Sequence, residues 1–270
     1  MKSEAKSKLT TLALAIAVSA FSSGAFAQKA GGAAAEGAVG IDQTKALNGG
    51  VTANDTAGFP VTLSQPGHYR LTGNLTVSDP MAQAIYITAP NVTLDLNGFT
   101  IQGPNKCVAL TKSCSVMNGF GIGVYVGGTG ALVHNGTIEG FANGGVMGMG
   151  GTFRDLRVTD NTVGLQLNNA PATFERLHVE RNLYTGISMS STDHAVVRSS
   201  TIIGNFGNGI QMQNGLVHNN VIRLNGGRGL NAPGIGVSGY RENVITSNAM
   251  GDVYGGTSLG NNACSNQVVC

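Results

Sequence analysis

Gly123-Val124-Tyr125-Val126, Gly145-Val146, Gly164-Leu165-Gln166-Leu167, Gly186-Ile187-Ser188-Met189, Gly209-Ile210-Gln211-Met212, Gly229-Leu230-Asn231-Ala232 and Gly251-Asp252-Val253 are seven versions of one phrase: a glycine, then apolar residues in alternation. The steps between their glycines are 22, 19, 22, 23, 20 and 22 residues. A second apolar anchor keeps the same beat at Ile138, Val158, Val179, Ile202, Ile222 and Ile245. Three residues after the anchor stands an asparagine in five copies: Asn161, Asn182, Asn205, Asn225 and Asn248. Alternation marks strands, and short β patches repeating at this period cannot bury an apolar side alone, so the copies must stack into a solenoid. The asparagine column is expected to hold one left-handed turn per coil, its side chains laddering up the stack.

Upstream of the repeats the chain opens like an exported protein. Lys2, Lys6 and Lys8 precede the apolar run Leu12–Phe21, and Ala25-Phe26-Ala27 resembles a cleavage site, so residues 1–27 read as a secretory signal peptide. The apolar run is too short to span a membrane. The formal charge of +2 is that of this segment, three lysines less Glu4, which leaves the rest of the chain near neutral. Neutrality and the absence of tryptophan exclude the usual grounds for nucleic-acid binding. No later stretch is long and apolar enough for a membrane span, and the expected location is the periplasm or the outside of the cell. Four cysteines form two sequence-local pairs, Cys107 with Cys114 and Cys264 with Cys270; export makes both read as disulfides. Neither loop offers the further ligands a metal needs, and no cofactor is expected.

Residues 28–57 are Gly/Ala-rich without a period and read as a flexible lead-in. From residue 58 short strands follow, most regularly Ala84–Ile87, Val92–Leu96 and Phe99–Ile101, separated by Pro90-Asn91 and Asn97-Gly98. An insertion at 102–120 carries the first cysteine pair. Asn91-Val92-Thr93-Leu94-Asp95-Leu96-Asn97-Gly98-Phe99-Thr100-Ile101, followed by the Gly-Ile-x-Met phrases and asparagine turns, resembles right-handed parallel β-helix proteins of the pectate-lyase-like superfamily. The resemblance covers about residues 58–266, with 267–270 as a disulfide-closed end. It implies an all-β, single-domain solenoid of about eight coils. It does not select an activity, because this fold hosts lyases, hydrolases, epimerases, phage-tail depolymerases and non-enzymatic surface proteins.

Aligned on the Ile138-type anchor, each column is a line of neighbours about 4.8 Å apart. Five positions earlier the column is Val133, Phe153, Phe174, Val197, Val217 and Tyr240, hence inward. The next position, His134, Arg154, Glu175, Arg198, His218 and Arg241, must then face out, and every member is ionisable. Two readings stand: a solvated wall with mixed charges, or a binding track for an anionic polysaccharide, because arginine binds carboxylates bidentately. The residue that follows, Asn135, Asp155, Arg176, Ser199, Asn219 or Glu242, reads as a bend.

Three residues carry the catalytic reading. A uronate lyase or epimerase needs a cation on the carboxylate and a base for the α-proton. His178, with Arg157 one coil below and Glu180 two residues on, supplies both types, and histidine titrates near neutrality. Glu139 and Glu180 share a column two rungs apart, about 9.6 Å, at the far edge of the inverting-glycosidase range. The known catalytic sets of the superfamily do not carry over. The positions before each glycine strand, Thr162-Val163, Tyr184-Thr185, Gly207-Asn208 and Gly227-Arg228, hold no carboxylate. The outward residues of the glycine strands, Gln166, Ser188, Gln211 and Asn231, either bind sugar hydroxyls, with Tyr184 as a stacking platform, or form an inert wet face. The alternative to an enzyme is a non-catalytic surface protein that binds glycan.

Overall fold

The computed structural model describes residues 37–108, 113–115, 119–189, 194–234, 238–265 and 270, excepting the side chains of 107 and 108. The signal-peptide segment 1–27 lies outside the described residues. The described residues belong to one compact unit.

Its architecture is a parallel β-solenoid of about eight turns. Nine strands, from Val61–Leu63 to Val253–Gly255, stack into one sheet that carries the glycine phrases. The remaining rungs form a seventeen-stranded sheet folded along a bend. Each coil runs along the nine-stranded face, then a first leg holding the inward Val133 column, then a second leg holding the Ile138 anchors. The registers are parallel throughout both sheets and match the columns read from the sequence: Val133↔Phe153↔Phe174↔Val197↔Val217↔Tyr240 on the first leg and Ile138↔Val158↔Val179↔Ile202↔Ile222↔Ile245 on the second. These side chains are buried and form one continuous core with the apolar residues of the glycine strands. Phe153 and Phe174 stack within it, ring centroids 5.8 Å apart.

The glycine beat has a steric cause. A Cβ on Gly123 would lie 2.4 Å from Cγ2 of Ile138, one on Gly145 2.7 Å from Cγ1 of Val158, and one on Gly229 2.5 Å from Cγ2 of Ile245. A Cβ on Gly164 would sit 2.3 Å from the Gly186 carbonyl oxygen. The glycine is the corner at which the nine-stranded sheet closes onto the anchor of its own coil, and it is needed for space.

The two remaining corners follow one rule: a left-handed residue, then an inward residue. Between the legs, Asn135, Asp155, Arg176, Ser199, Asn219 and Glu242 all have φ between 51° and 64°, as the expected bend requires. After the second leg, Asp160, Arg181, Gly204, Leu224 and Ser247 are left-handed with φ between 50° and 64°. This corrects the expectation for the asparagine column, which follows the left-handed residue and does not itself adopt that conformation. The ladder does form. Asn161 donates its amide to Asn182, Asn182 to Asn205, Asn205 to Asn225 and Asn225 to Asn248, at 2.8–3.2 Å, and Asn248 donates to Asp252. The amides also reach the carbonyl of an anchor in a neighbouring coil, as in Asn205 to Val179 at 3.2 Å. Inward pointing and amide pairing satisfy the backbone polar groups that a tight corner would leave buried. A second ladder, Asn220 to Asn243 to Asn262, occupies the inner bend, where earlier coils place Leu156 and Leu177.

Both ends depart from the repeat. Part of the expected lead-in is ordered: Val39–Ile41 pairs with Tyr69–Leu71, and a short helix, Gln43–Asn48, begins at Asp42, whose side chain accepts from the Lys45 N–H at 2.8 Å. Ala46 of this helix is fully buried, and Asp55 ties the following loop by accepting from Val51 and Thr62. A six-residue helix is too short to show a period, which is why Gly/Ala composition misleads there. At the other end, Cys264 and Cys270 form a disulfide. In the insertion, Cys107 and Cys114 face each other across an antiparallel pair and Cys114 is disulfide-bonded, while the Cys107 side chain lies outside the described residues.

Candidate functional site

The first-leg column stands as the sequence orders it, His134↔Arg154↔Glu175↔Arg198↔His218↔Arg241, and continues below through Asp95 and Arg70. Stacking makes these side chains partners of one another. Arg70 lies 3.2 Å and His134 3.9 Å from Asp95, Arg198 is 3.0 Å from Glu175, and His218 meets Glu242 at 2.8 Å. The bend column supplies the rest: Arg176 grips Asp155 through two hydrogen bonds of 2.6 and 3.0 Å and also holds Glu175, while Arg154 approaches Asp155 at 3.9 Å. Arg241 makes no ion pair among the described residues. The Arg176 hydrogen bond, with the nearby cations, holds the Asp155 carboxyl below the usual range, and that contact with Asp155 raises the Arg176 guanidinium in turn. Burial is the largest influence on His134 and lowers it, against the opposing charge of Asp95.

His178, Glu180 and Arg157 do come together on the second leg. His178 Nε2 stands 3.1 Å from Glu180 Oε2, and the other carboxylate oxygen receives Arg157 and, at 2.7 Å, Arg181. Arg181 in turn embraces Asp160 at 2.6 and 3.1 Å. Burial pushes the Glu180 carboxyl up, but Arg157, His178 and Arg181 together outweigh it and leave the group below its ordinary value. Such a carboxylate is ionised and fully engaged, suited to fixing its neighbours and unsuited to donating a proton.

The two ionisable columns do not share one continuous face. The left-handed residues turn the chain between them, and an open groove of about 550 Å³ runs along that bend. Arg157 and His178 form one wall and Asp155 and Arg176 the other, over Leu156 and Leu177; no member of the first-leg column lines it. Glu139 and Glu180 keep their column through Thr159, yet Glu139 lines a separate cleft of about 310 Å³ with Asp160, Arg181 and Lys106, which Glu180 does not line. Among the described residues no cluster of three or more His, Cys, Asp or Glu is placed to hold a metal ion, and no helix is long and apolar enough to cross a membrane.

The nine-stranded face is chemically the opposite. Its outward column runs Tyr86↔Tyr125↔Met147↔Gln166↔Ser188↔Gln211↔Asn231↔Tyr254. None of these side chains is charged at neutral pH. Aromatic rings mark both ends: Tyr86 and Tyr125 meet edge-to-face at 5.3 Å, and Tyr254, half exposed, lies under the Arg228 guanidinium at 4.2 Å. Tyr184, 55% exposed, stands at the margin of the face, where its carbonyl accepts from the Gly207 N–H at 3.0 Å, and one residue on Asn208 donates to Gln211. The sequence reading named the middle of this column and Tyr184, but not the tyrosines at its ends or Arg228; counting the glycine phrases back to Tyr86 and on to Tyr254 would have found the tyrosines.

A family model described as a right handed beta helix region matches residues 97–269. Searches of the curated proteins and of the solved structures found no match.

Proposed function

The chain belongs to the right-handed β-helix family, and from that premise we propose that it is an exported polysaccharide-binding protein whose glycan lies along the nine-stranded face. One observation carries the reading: a column of three tyrosines, three amides, a hydroxyl and Met147, with no charged member, extending over eight successive rungs. Amide and hydroxyl side chains both donate and accept, as sugar hydroxyls do, and tyrosine offers an apolar ring with a polar tip. At about 4.8 Å per rung, the strip spans several sugar units. The signal-like N-terminus and the Cys264–Cys270 bridge support export.

Titration calorimetry against a panel of neutral and acidic polysaccharides tests this. Replacing Tyr184 and Tyr254 together by Ala should weaken binding by roughly tenfold or more, as loss of interfacial aromatic anchors does. Unchanged affinity in that variant overturns the placement.

A second reading, turnover of a uronate polymer by β-elimination or epimerisation, is favoured by the Arg157–Glu180–His178 contact beside the bend groove. In that reading His178 takes the α-proton, Arg157 faces the substrate carboxylate, and Arg154, Arg198, His134, Glu175, His218 and Arg241 bind the flanking chain. Ultraviolet absorbance of an unsaturated product, lost in His178→Ala, is its signature; no absorbance, no new reducing ends and no epimerisation remove it.

A further inference from the structure

Arg228 is the exception on an uncharged face. Its guanidinium lies over the ring of Tyr254, and Tyr254 is half exposed and in outward register with Asn231 and Gln211, so the cation lies on the solvent side of the glycan strip. Its backbone is fixed from the rung below, where Asn208 Oδ1 accepts the Arg228 N–H at 2.8 Å and Asn208 Nδ2 donates to Gln211 at 3.2 Å. On the bent sheet and its corners, Arg157, Arg176 and Arg181 are held by carboxylates. Arg228 makes no ion pair among the described residues; its contact is the ring face. Arg223 and Arg241 also lack an ion pair among the described residues, but they stand on the seventeen-stranded sheet with no ring beneath them.

Stacking a guanidinium on an aromatic face fixes its plane while leaving the N–H edge free, and that edge matches the two oxygens of a carboxylate. We infer that Arg228 on Tyr254 is a specificity-determining subsite for one carboxylate-bearing sugar unit at the C-terminal end of an otherwise uncharged strip. The ligand class that follows is a mainly neutral heteropolysaccharide carrying an acidic unit. A polymer charged at every residue would find, among the described residues of this face, Arg228 as a cation without an ion pair beside eight uncharged rungs. The inference rests on the glycan reading above and narrows it.

The test uses the full-length mature protein on an array of neutral polysaccharides and their counterparts containing uronate units, with affinities of the hits measured by titration at low and high salt. The wild type should prefer the uronate-containing member of a pair, and Arg228→Gln should abolish that preference by roughly tenfold while leaving neutral binding unchanged. The preference should also shrink with salt in the wild type alone. Tyr254→Leu, which removes the ring under the guanidinium, should lose part of it. Circular dichroism and melting of each variant check the fold. Equal preference in wild type and Arg228→Gln, or none in the wild type with neutral binding intact, overturns the Arg228 subsite and leaves glycan binding standing. No binding to any polysaccharide overturns both.

Discussion

The two sheets of this solenoid are built from the same repeat, yet they handle charge in opposite ways. On the bent sheet the outward columns carry arginine, histidine, glutamate and aspartate, and opposite charges one rung apart pair with each other: Arg198 with Glu175, Arg176 with Asp155, Arg157 with Glu180. On the nine-stranded sheet the outward column is uncharged, and Arg228 beside it rests on a ring. The difference shows that a charged column in a stack is not by itself a ligand track, because its members sit close enough to pair before any ligand arrives. A face of few charges leaves the ones it has available.

Both faces depend on a common interior, so the largest effect comes from breaking that. Phe174→Ala, which empties the stacked position beside Phe153, should destabilise by about 3–5 kcal/mol in urea denaturation and weaken both faces together. Asn205→Ala should cost about 1–3 kcal/mol, because it strands the backbone N–H and amide of Asn182 in a dry corner. That loss should not depend on salt, which separates it from effects on the bent sheet.

Acid should act on the bent sheet through Glu180. The Glu180 carboxyl is lowered in the fold, so its contribution is present above its ordinary value of 4.5 and is lost as pH falls through the lowered value. Because its partners Arg157 and His178 are about half exposed, the loss should stay below about 1 kcal/mol. Glu180→Gln should flatten this part of the stability–pH curve, whereas Gln211→Ala should leave it unaltered. The smallest effect is expected from Arg154→Ala with Arg198→Ala. Stability should change by no more than about 0.5 kcal/mol per site, and glycan affinity should not change. A marked loss of affinity in that double variant would reverse the roles assigned to the two sheets.

Much of this was legible in the sequence, because strand alternation and a fixed period state which residues share a column and which side they face. The register from Val133 to Tyr240 and the outward setting of Arg154 and Arg198 needed nothing more. The asparagine turn was misplaced by one residue because asparagine suits two jobs, a left-handed turn and a buried amide ladder, and its neighbours Arg181 and Leu224 carry no local preference for left-handed backbone. The second ladder was hidden by Leu156 and Leu177, which fill the same inner position in other coils. The His178, Glu180 and Arg157 cluster was legible, but the pairs made by Asp155, Arg176 and Glu242 were not, since these come from the bend, where side-chain direction depends on backbone that alternation does not specify. Asp42 as a helix cap was visible only in retrospect.

The asparagine ladder has a polarity. From Asn161 to Asn248 every side-chain amide donates in the same direction, so their dipoles add along the stack as peptide dipoles do along a helix. The row ends on a carboxylate: Asn248 donates to Asp252, which Ser265 also binds. Burial raises the Asp252 carboxyl, yet the bonds from Ser265 and Asn248 prevail and keep it below its ordinary value. The anion sits at the positive pole of the amide row, as acidic residues sit at the start of a helix. Asp252 is thereby a terminator: an acceptor without an amide N–H to pass on, it closes the series at the last coil.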